Sequence, residues 1–156
     1  KLFAGDPVLG PWADSIAVRV FELTEFLLHV AKVDWTNKSV NESLVLHTSC
    51  SARREMGTHL SARALLGQIQ GVEVLMQDHE SECCGFGGAF SMKHPEISAA
   101  MASDKVDAIE ATGAKVMVSA DGACLLNING TLEKRKSSLH GQHIATYLLK
   151  TTKSTT

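Results

Sequence analysis

Apolar residues at Ile16, Val20, Leu23, Leu27 and Val30 recur in steps of four, three, four and three. That spacing puts them on one helical face and predicts a helix from Trp12 to Val30, opened by Pro11 and Asp14. The polar stretch from Trp35 to Ser43 holds two asparagines and reads as a loop. Leu44-Val45-Leu46-His47 is a short β-type run, and beyond Cys50 and Gly57 a helix is expected from His59 to Ile69, closing at Gly71. Val72 to Met76 repeats the strand signal. After a glycine-rich loop, Pro95 opens a helix to about Thr112, ended by Gly113. Lys115 to Ser119 predicts a third strand, followed by helices from about Cys124 to Lys136 and from His143 to Leu149. The polar tail Lys150 to Thr156 is expected to fray.

Strands alternating with helices over short connections predict an α/β fold: an open, mostly parallel sheet flanked by helices in three αβα layers, with right-handed crossovers. A length of 156 residues suits one core and is too short for two ordinary domains. The chain therefore divides into an amino-terminal helix (1–34), an α/β domain (35–150) and a tail (151–156).

With 44% hydrophobic and 21% charged residues the composition is that of a globular protein, not a disordered one. Fifteen Lys and Arg against 17 Asp and Glu leave a formal charge of −2. Arg53-Arg54 and Lys134-Arg135-Lys136 are short and separate, so no nucleic-acid partner is expected. No apolar run approaches the roughly 20 residues of a membrane span, which leaves at most peripheral membrane association. The opening from Lys1 lacks the layout of a signal peptide, and a cytoplasmic location is expected. On the same ground the Asn-x-Ser/Thr triplets at Asn37, Asn41 and Asn129 read as coincidental.

The predicted strands change the meaning of the four cysteines. In an open parallel sheet, functional groups gather outside the carboxyl ends of the strands. Cys50 follows the first strand, Cys83 and Cys84 the second, and Cys124 the third. A lone cysteine is by default a small buried hydrophobe. Four at strand ends, two of them adjacent, point instead to one site.

The loop Cys83-Cys84-Gly85-Phe86-Gly87-Gly88 carries the strongest chemistry. Adjacent cysteines do not readily form an unstrained disulfide with each other, but both can hold a metal cluster. Gly85, Gly87 and Gly88 let the backbone pass close to a bulky group and offer amide hydrogens to its sulfurs. A dinucleotide fingerprint fails, because its final position is Phe90 and the loop lies in the second unit. Cys124 is placed at a helix amino terminus, where the dipole favours thiolate. With no Cys-x-x-Cys pair, a zinc ribbon or finger is not expected. His47 could ligate a metal or hydrogen-bond a cluster sulfur, and a strand-end histidine bonded to backbone is an equal reading. His94 reads as a helix-start residue, and the other histidines as surface or packing groups.

Taken together, His47-Thr48-Ser49-Cys50, Glu82-Cys83-Cys84-Gly85-Phe86-Gly87-Gly88 and Asp121-Gly122-Ala123-Cys124 resemble the CCG-type cysteine-rich domain of iron-sulfur oxidoreductases. That group takes in the cysteine-rich component of heterodisulfide reductase, the iron-sulfur component of glycolate oxidase and the lactate-utilisation iron-sulfur proteins. Ser91 to Ile97 and Ile109 to Ala114 look most like the lactate branch, and the resemblance runs from about Phe21 to Leu149. Two features depart from it: Asn127 stands where the family commonly has a further cysteine, and only one motif is present where members generally carry two. The helix of residues 1–34 would then be a connector from an upstream domain.

The resemblance implies electron transfer by an iron-sulfur cluster, linked to oxidation of a 2-hydroxy acid such as lactate or glycolate, with other subunits of an oxidoreductase complex as partners and the oxidation itself carried out elsewhere in that complex. Cys50, Cys83, Cys84 and Cys124 would be the ligands of a 4Fe-4S cluster. The amides of Gly85, Gly87 and Gly88, with His47, would tune its potential. The alternative is a structural or regulatory zinc site on the same thiolates. A thiol-disulfide redox domain is the third reading, weakened by the absence of Cys-x-x-Cys.

Overall fold

A computed structural model describes residues 2–153. The chain forms helices α1 (Leu9–Ala17) and α2 (Leu23–Glu25), the latter running into a π-turn (Phe26–Val30). Strand β1 (Ser39–His47), helices α3 (Cys50–Met56) and α4 (Thr58–Leu66), and strand β2 (Gln70–Leu75) follow. Then come α5 (Ala89–Lys93), α6 (Pro95–Glu110), β3 (Val116–Ser119), α7 (Gly122–Lys134), β4 (Gly141–His143) and α8 (Ile144–Lys153). The strands make one sheet in the order β2-β1-β3-β4, with every pairing parallel. Helices cover both faces, which is the expected αβα arrangement.

The strand alternation decides which helices lie on which face, because successive side chains point to opposite sides. Leu44 and Leu46 of β1 join Val118 of β3 in a cluster with Leu65, Leu66, Ile144 and Leu148, from α4 and α8. Val45 and Met117, paired in register, face the other way onto Val106, Ile109, Ile128 and Leu132 of α6 and α7. Burying each such aliphatic side chain contributes roughly 1.5–3 kcal/mol. His47 is the next odd position of β1, so its ring points to the α6–α7 side.

The helix expected from Trp12 to Val30 is broken. Glu22 takes an extended conformation and its carboxylate accepts from the amides of Thr24 and Glu25, while the Glu25 side chain returns a bond to the Glu22 amide. This capping box starts a new helix inside the apolar stripe. No residue of α1 is buried, and in the later segment Thr24 is buried while Leu27 and Leu28 pack half-buried on the core. Helical spacing is present without a continuous helix to use it.

Of the polar stretch read as a loop, residues 35–38 are a connection, but residues 39–43 are the first half of β1. Ser39, Glu42 and Ser43 pair with Gln70, Val72 and Glu73 through backbone bonds, and their side chains are partly or fully exposed, so no apolar signal marks them. Helix α3 is also unexpected. Ser49 caps it, its hydroxyl accepting from the Ala52 amide, and Gly57 ends it at φ +64°. A fourth strand appears at Gly141–His143, where only a helix from His143 is predicted. The Asn129 side chain brackets it, donating to the Gly141 carbonyl at 2.9 Å and accepting from its amide at 2.7 Å. A methyl at Gly141 would lie 2.2 Å from Met117 Cε, 2.8 Å from Asn129 Oδ1 and 2.9 Å from Leu125 Cδ2, so any larger residue there would have to displace three side chains. Residues Lys150–Lys153 continue α8, with Thr151 buried, in place of the expected fraying; the part of that expectation on 154–156 lies outside the described residues.

Candidate metal centre

All four cysteines lie at the carboxyl edge of the sheet, as the strand predictions require. β1 delivers His47 and then Cys50 at the start of α3; the connection after β2 carries Cys83 and Cys84; β3 leads through Asp121 to Cys124 in α7. All four are free thiols.

The tightest group joins His47, Cys84 and Cys124, whose ligand atoms all lie within 4.8 Å of one another. His47 is 0% exposed, and neither ring nitrogen has a hydrogen-bond partner. The reading of His47 as a histidine bonded to backbone is therefore not what the structure contains. Asp121 sets the position of Cys124, because its carboxylate accepts from the amides of Ala123 and Cys124, each at 2.9 Å. Asn127, one turn further along α7, donates to the carbonyl of Cys84 at 2.7 Å and ties the double-cysteine loop to that helix.

The electrostatics divide the two buried thiols. The S–H of Cys124 hydrogen-bonds to Cys84 and holds the Cys84 thiol well below the usual range, against burial, with His47 and the Phe86 amide acting in the same direction as Cys124. Cys124 is pushed up by that same bond, then by burial and by the neighbouring Asp121 carboxylate. The bond to Cys84, with burial and Asp121, thus opposes the thiolate that the helix dipole would favour at Cys124. Asp121 already occupies the helix amino terminus, and its negative charge opposes a second one.

Cys83 and Cys50 are half-buried and touch each other. Burial raises the Cys83 thiol, opposed by a hydrogen bond from the Gly85 amide, which reaches Cys83 Sγ at 3.4 Å; Cys50 and Cys84 raise it further. Cys50 and Cys83 thus stand at the same edge of the sheet but outside the compact group of His47, Cys84 and Cys124. Gly85 sits at φ +85°, and a methyl there would lie 2.5 Å from the Ser98 carbonyl oxygen, so only glycine lets the loop pack on α6 while its amide faces sulfur. Gly87 lies against Phe90, whereas Gly88, at φ +57°, faces open space.

His94 caps α6 as a helix-start residue, though without a side-chain bond. Three groups go unread in the sequence. Asp121 and Asn127 flank Cys124, and their short polar side chains at a helix start and one turn on are the available signal. Lys105 is the third. It is 2% exposed and belongs to the buried stripe Ser98, Ala102, Val106 and Ile109 of α6, so a lysine at a core-facing position is the clue. An ion-pair cluster fixes the loop that leads to Cys83: Glu80 takes Arg53 at 3.1 Å and Arg63 at 2.6 Å, from α3 and α4.

Comparison with known proteins agrees with this geometry. The model of a family described as "CCG: Cysteine-rich domain" matches residues 44–129, a span that contains His47 and all four cysteines. The chain is 39% identical over 148 residues to Lactate utilization protein A of Shouchella clausii (strain KSM-K16), covering 95% of this chain and 62% of that protein. It is 38% identical over 147 residues to Lactate utilization protein A of Exiguobacterium sp. (strain ATCC BAA-1283 / AT1b), covering 94% and 60%. With the Bacillus subtilis (strain 168) protein of the same name it shares 36% identity over 147 residues, covering 94% and 62%. The chain thus spans about three-fifths of the length of these relatives.

Proposed function

The chain belongs to the cysteine-rich CCG domain family, and on that premise we propose that it is the iron-sulfur electron-transfer domain of an oxidoreductase complex linked to oxidation of a 2-hydroxy acid, lactate first. The observation that carries this reading is the buried group of His47, Cys84 and Cys124, with Cys83 and Cys50 at the same edge of the sheet. A histidine fully buried with both ring nitrogens unpartnered costs free energy unless something else meets it. Two thiols beside it and two more at the same sheet edge, with backbone amides aimed at two of the four, form a donor set that fits a thiolate-bound cluster.

Cys50, Cys83, Cys84 and Cys124 would hold the cluster. The amides of Gly85 and Phe86 donate toward sulfur, Gly87 and Gly88 let the loop turn, and His47 stands beside Cys84 and Cys124 on the core side. When bound, a 4Fe-4S cluster supplies reversible one-electron transfer. The protein's own part is to exclude water and fix the sulfurs. Cys84 and Cys124 pack in one cluster with Val45, Met117, Ile109 and Ile128, which keeps the inner side of the site apolar.

The name of the relatives, Lactate utilization protein A, supports lactate as the substrate of the whole system. Oxidation of that substrate belongs to other subunits of the complex, which are the partners. Among the described residues no helix is long and apolar enough to cross a membrane, and a cytoplasmic location is proposed.

Zinc is the second reading, favoured by the compactness of the His47, Cys84 and Cys124 group, since zinc accepts mixed sulfur and nitrogen ligands. Anaerobic purification from cells supplied with iron and zinc, followed by an absorbance scan and iron, sulfide and zinc analysis, tests both. Broad visible absorption with iron and sulfide in equal amounts is expected. Colourless protein holding zinc, which takes up no iron on reconstitution, would replace the first reading by the second.

A further inference from the structure

Lys105 is the one lysine among the described residues that is buried, at 2% exposure, and it enters the double-cysteine loop from α6. Its ammonium donates to the His79 carbonyl oxygen at 2.5 Å. His79 itself holds φ +52°, a conformation uncommon outside glycine, and its ring meets Glu82 at 3.1 Å. The lysine thus grips a turn that lies between the end of β2 and Cys83.

One carbonyl does not satisfy a buried ammonium, which offers three donors. No carboxylate forms an ion pair with Lys105 among the described residues. Of the negative groups around it, Glu80 is already taken by Arg53 and Arg63, and Glu82 is 59% exposed and solvated. The remaining two are Cys84 and Cys83, the second a neutral thiol in the metal-free chain that would become negative on holding a cluster. Burial alone pushes the ammonium below the ordinary lysine range, and these four groups act against it. A buried charge is expensive unless an opposite charge shares its low-dielectric surroundings. Two sulfurs of the proposed cluster are the partners left.

We propose that Lys105 is a positioning residue that holds the connection into the double-cysteine loop through His79 and places a fixed positive charge on the α6 side of that loop, where Cys84 packs with Val106 and Gly85 with Ser98, raising the reduction potential of the bound cluster. The inference rests on the cluster reading above. A positive charge nearby stabilises the more negative, reduced state, and net charge and its surroundings are among the levers that set cluster potentials. The glycine-loop amides supply only partial charges.

The test compares the wild-type chain with Lys105→Met and Lys105→Arg, each reconstituted anaerobically with ferrous iron and sulfide and titrated electrochemically with electron paramagnetic resonance as readout. Lys105→Met keeps the length and apolar stem and removes the charge. It is expected to take up iron and sulfide and to show a lower potential, such that the reduced fraction relative to oxidised at the wild-type midpoint falls about tenfold, or ~59 mV for one electron. Lys105→Arg is expected to restore the wild-type value. Cluster loss in Lys105→Met but not in Lys105→Arg also supports the assignment of the charge to the sulfurs. A wild-type potential in Lys105→Met, or equal defects in both variants, overturns it. If the wild-type chain itself takes up no iron, the cluster reading fails first and the role assigned to Lys105 falls with it.

Discussion

The Asn127 side-chain amide meets the carbonyl oxygen of Cys84 at 2.7 Å across 43 residues of sequence. With the Cys124–Cys84 bond it links α7 to the loop that carries the paired cysteines, and it stands where the resemblance leads one to expect a further thiol. The position therefore acts on the site by holding backbone. Asn127→Leu leaves a carbonyl in the loop without its donor and is expected to lower stability by about 1–3 kcal/mol. Urea denaturation with an unchanged slope and a lower midpoint is the expected record. A wild-type midpoint would show that the tether carries no stability.

His47 makes the opposite prediction for the metal-free chain. Its ring is fully buried, neither nitrogen makes a well-formed hydrogen bond, and its interaction with the Cys84 sulfur only partly offsets that burial, so His47→Leu, of similar volume, removes a desolvation cost and is expected to raise stability by about 1–3 kcal/mol. Thermal melting in the presence of a chelator measures it. A lower melting temperature in the variant would mean that the imidazole is satisfied even without metal.

Acid sensitivity is expected from Glu80. Burial works to raise its carboxyl, but the hydrogen bond and charge of Arg53, with those of Arg63, outweigh it, and the group lies below its ordinary value of 4.5. The folded state therefore binds fewer protons than the unfolded one between the two values. The stability from this group is fully present above about pH 4.5 and is lost as pH falls through the lower, folded value. Glu80→Gln is expected to be less stable at neutral pH by about 1–3 kcal/mol, with the gap to wild type closing in acid. Denaturant midpoints of both proteins from neutral pH down to roughly pH 3 check it, and a gap independent of pH would refute the assignment.

Gly85 gives a steric prediction. A methyl placed at φ +85° would stand 2.5 Å from the Ser98 carbonyl oxygen, a backbone atom that cannot swing aside. Gly85→Ala is expected to cost at least about 1–3 kcal/mol and to lift the loop from α6, while Gly88→Ala, with open space around it, carries only the strain of its backbone. Comparing the two variants by thermal melting separates packing from backbone conformation.

The placement of the cysteines is legible because it needs only the carboxyl ends of three strands, and Leu44 to His47, Val72 to Leu75 and Val116 to Ser119 all carry apolar strand signals. What escapes is structure made by backbone pairing or by single polar groups. The first half of β1 is polar because its side chains are largely exposed, and β4 is three residues held by Asn129 and by space at Gly141. The broken helix shows the converse: a correct period from Ile16 to Val30 is overridden by one glutamate that caps a new start. At the site, residue type names the thiols but not their electrostatics. The bond to Cys84, then burial, and behind them Asp121, oppose what the helix dipole alone would do to Cys124, and that depends on which groups meet in space.

The two buried cysteines are members of the same apolar cluster as Met117, Ile109 and Ile128. Scaffold and centre therefore share one set of van der Waals contacts, and the position of each sulfur is part of how the α6–α7 face packs. A trimmed methylene at Ile128, chemically silent by itself, would displace the sulfurs it leans on, so that repacking this core is a way of adjusting the centre without touching any of its ligands.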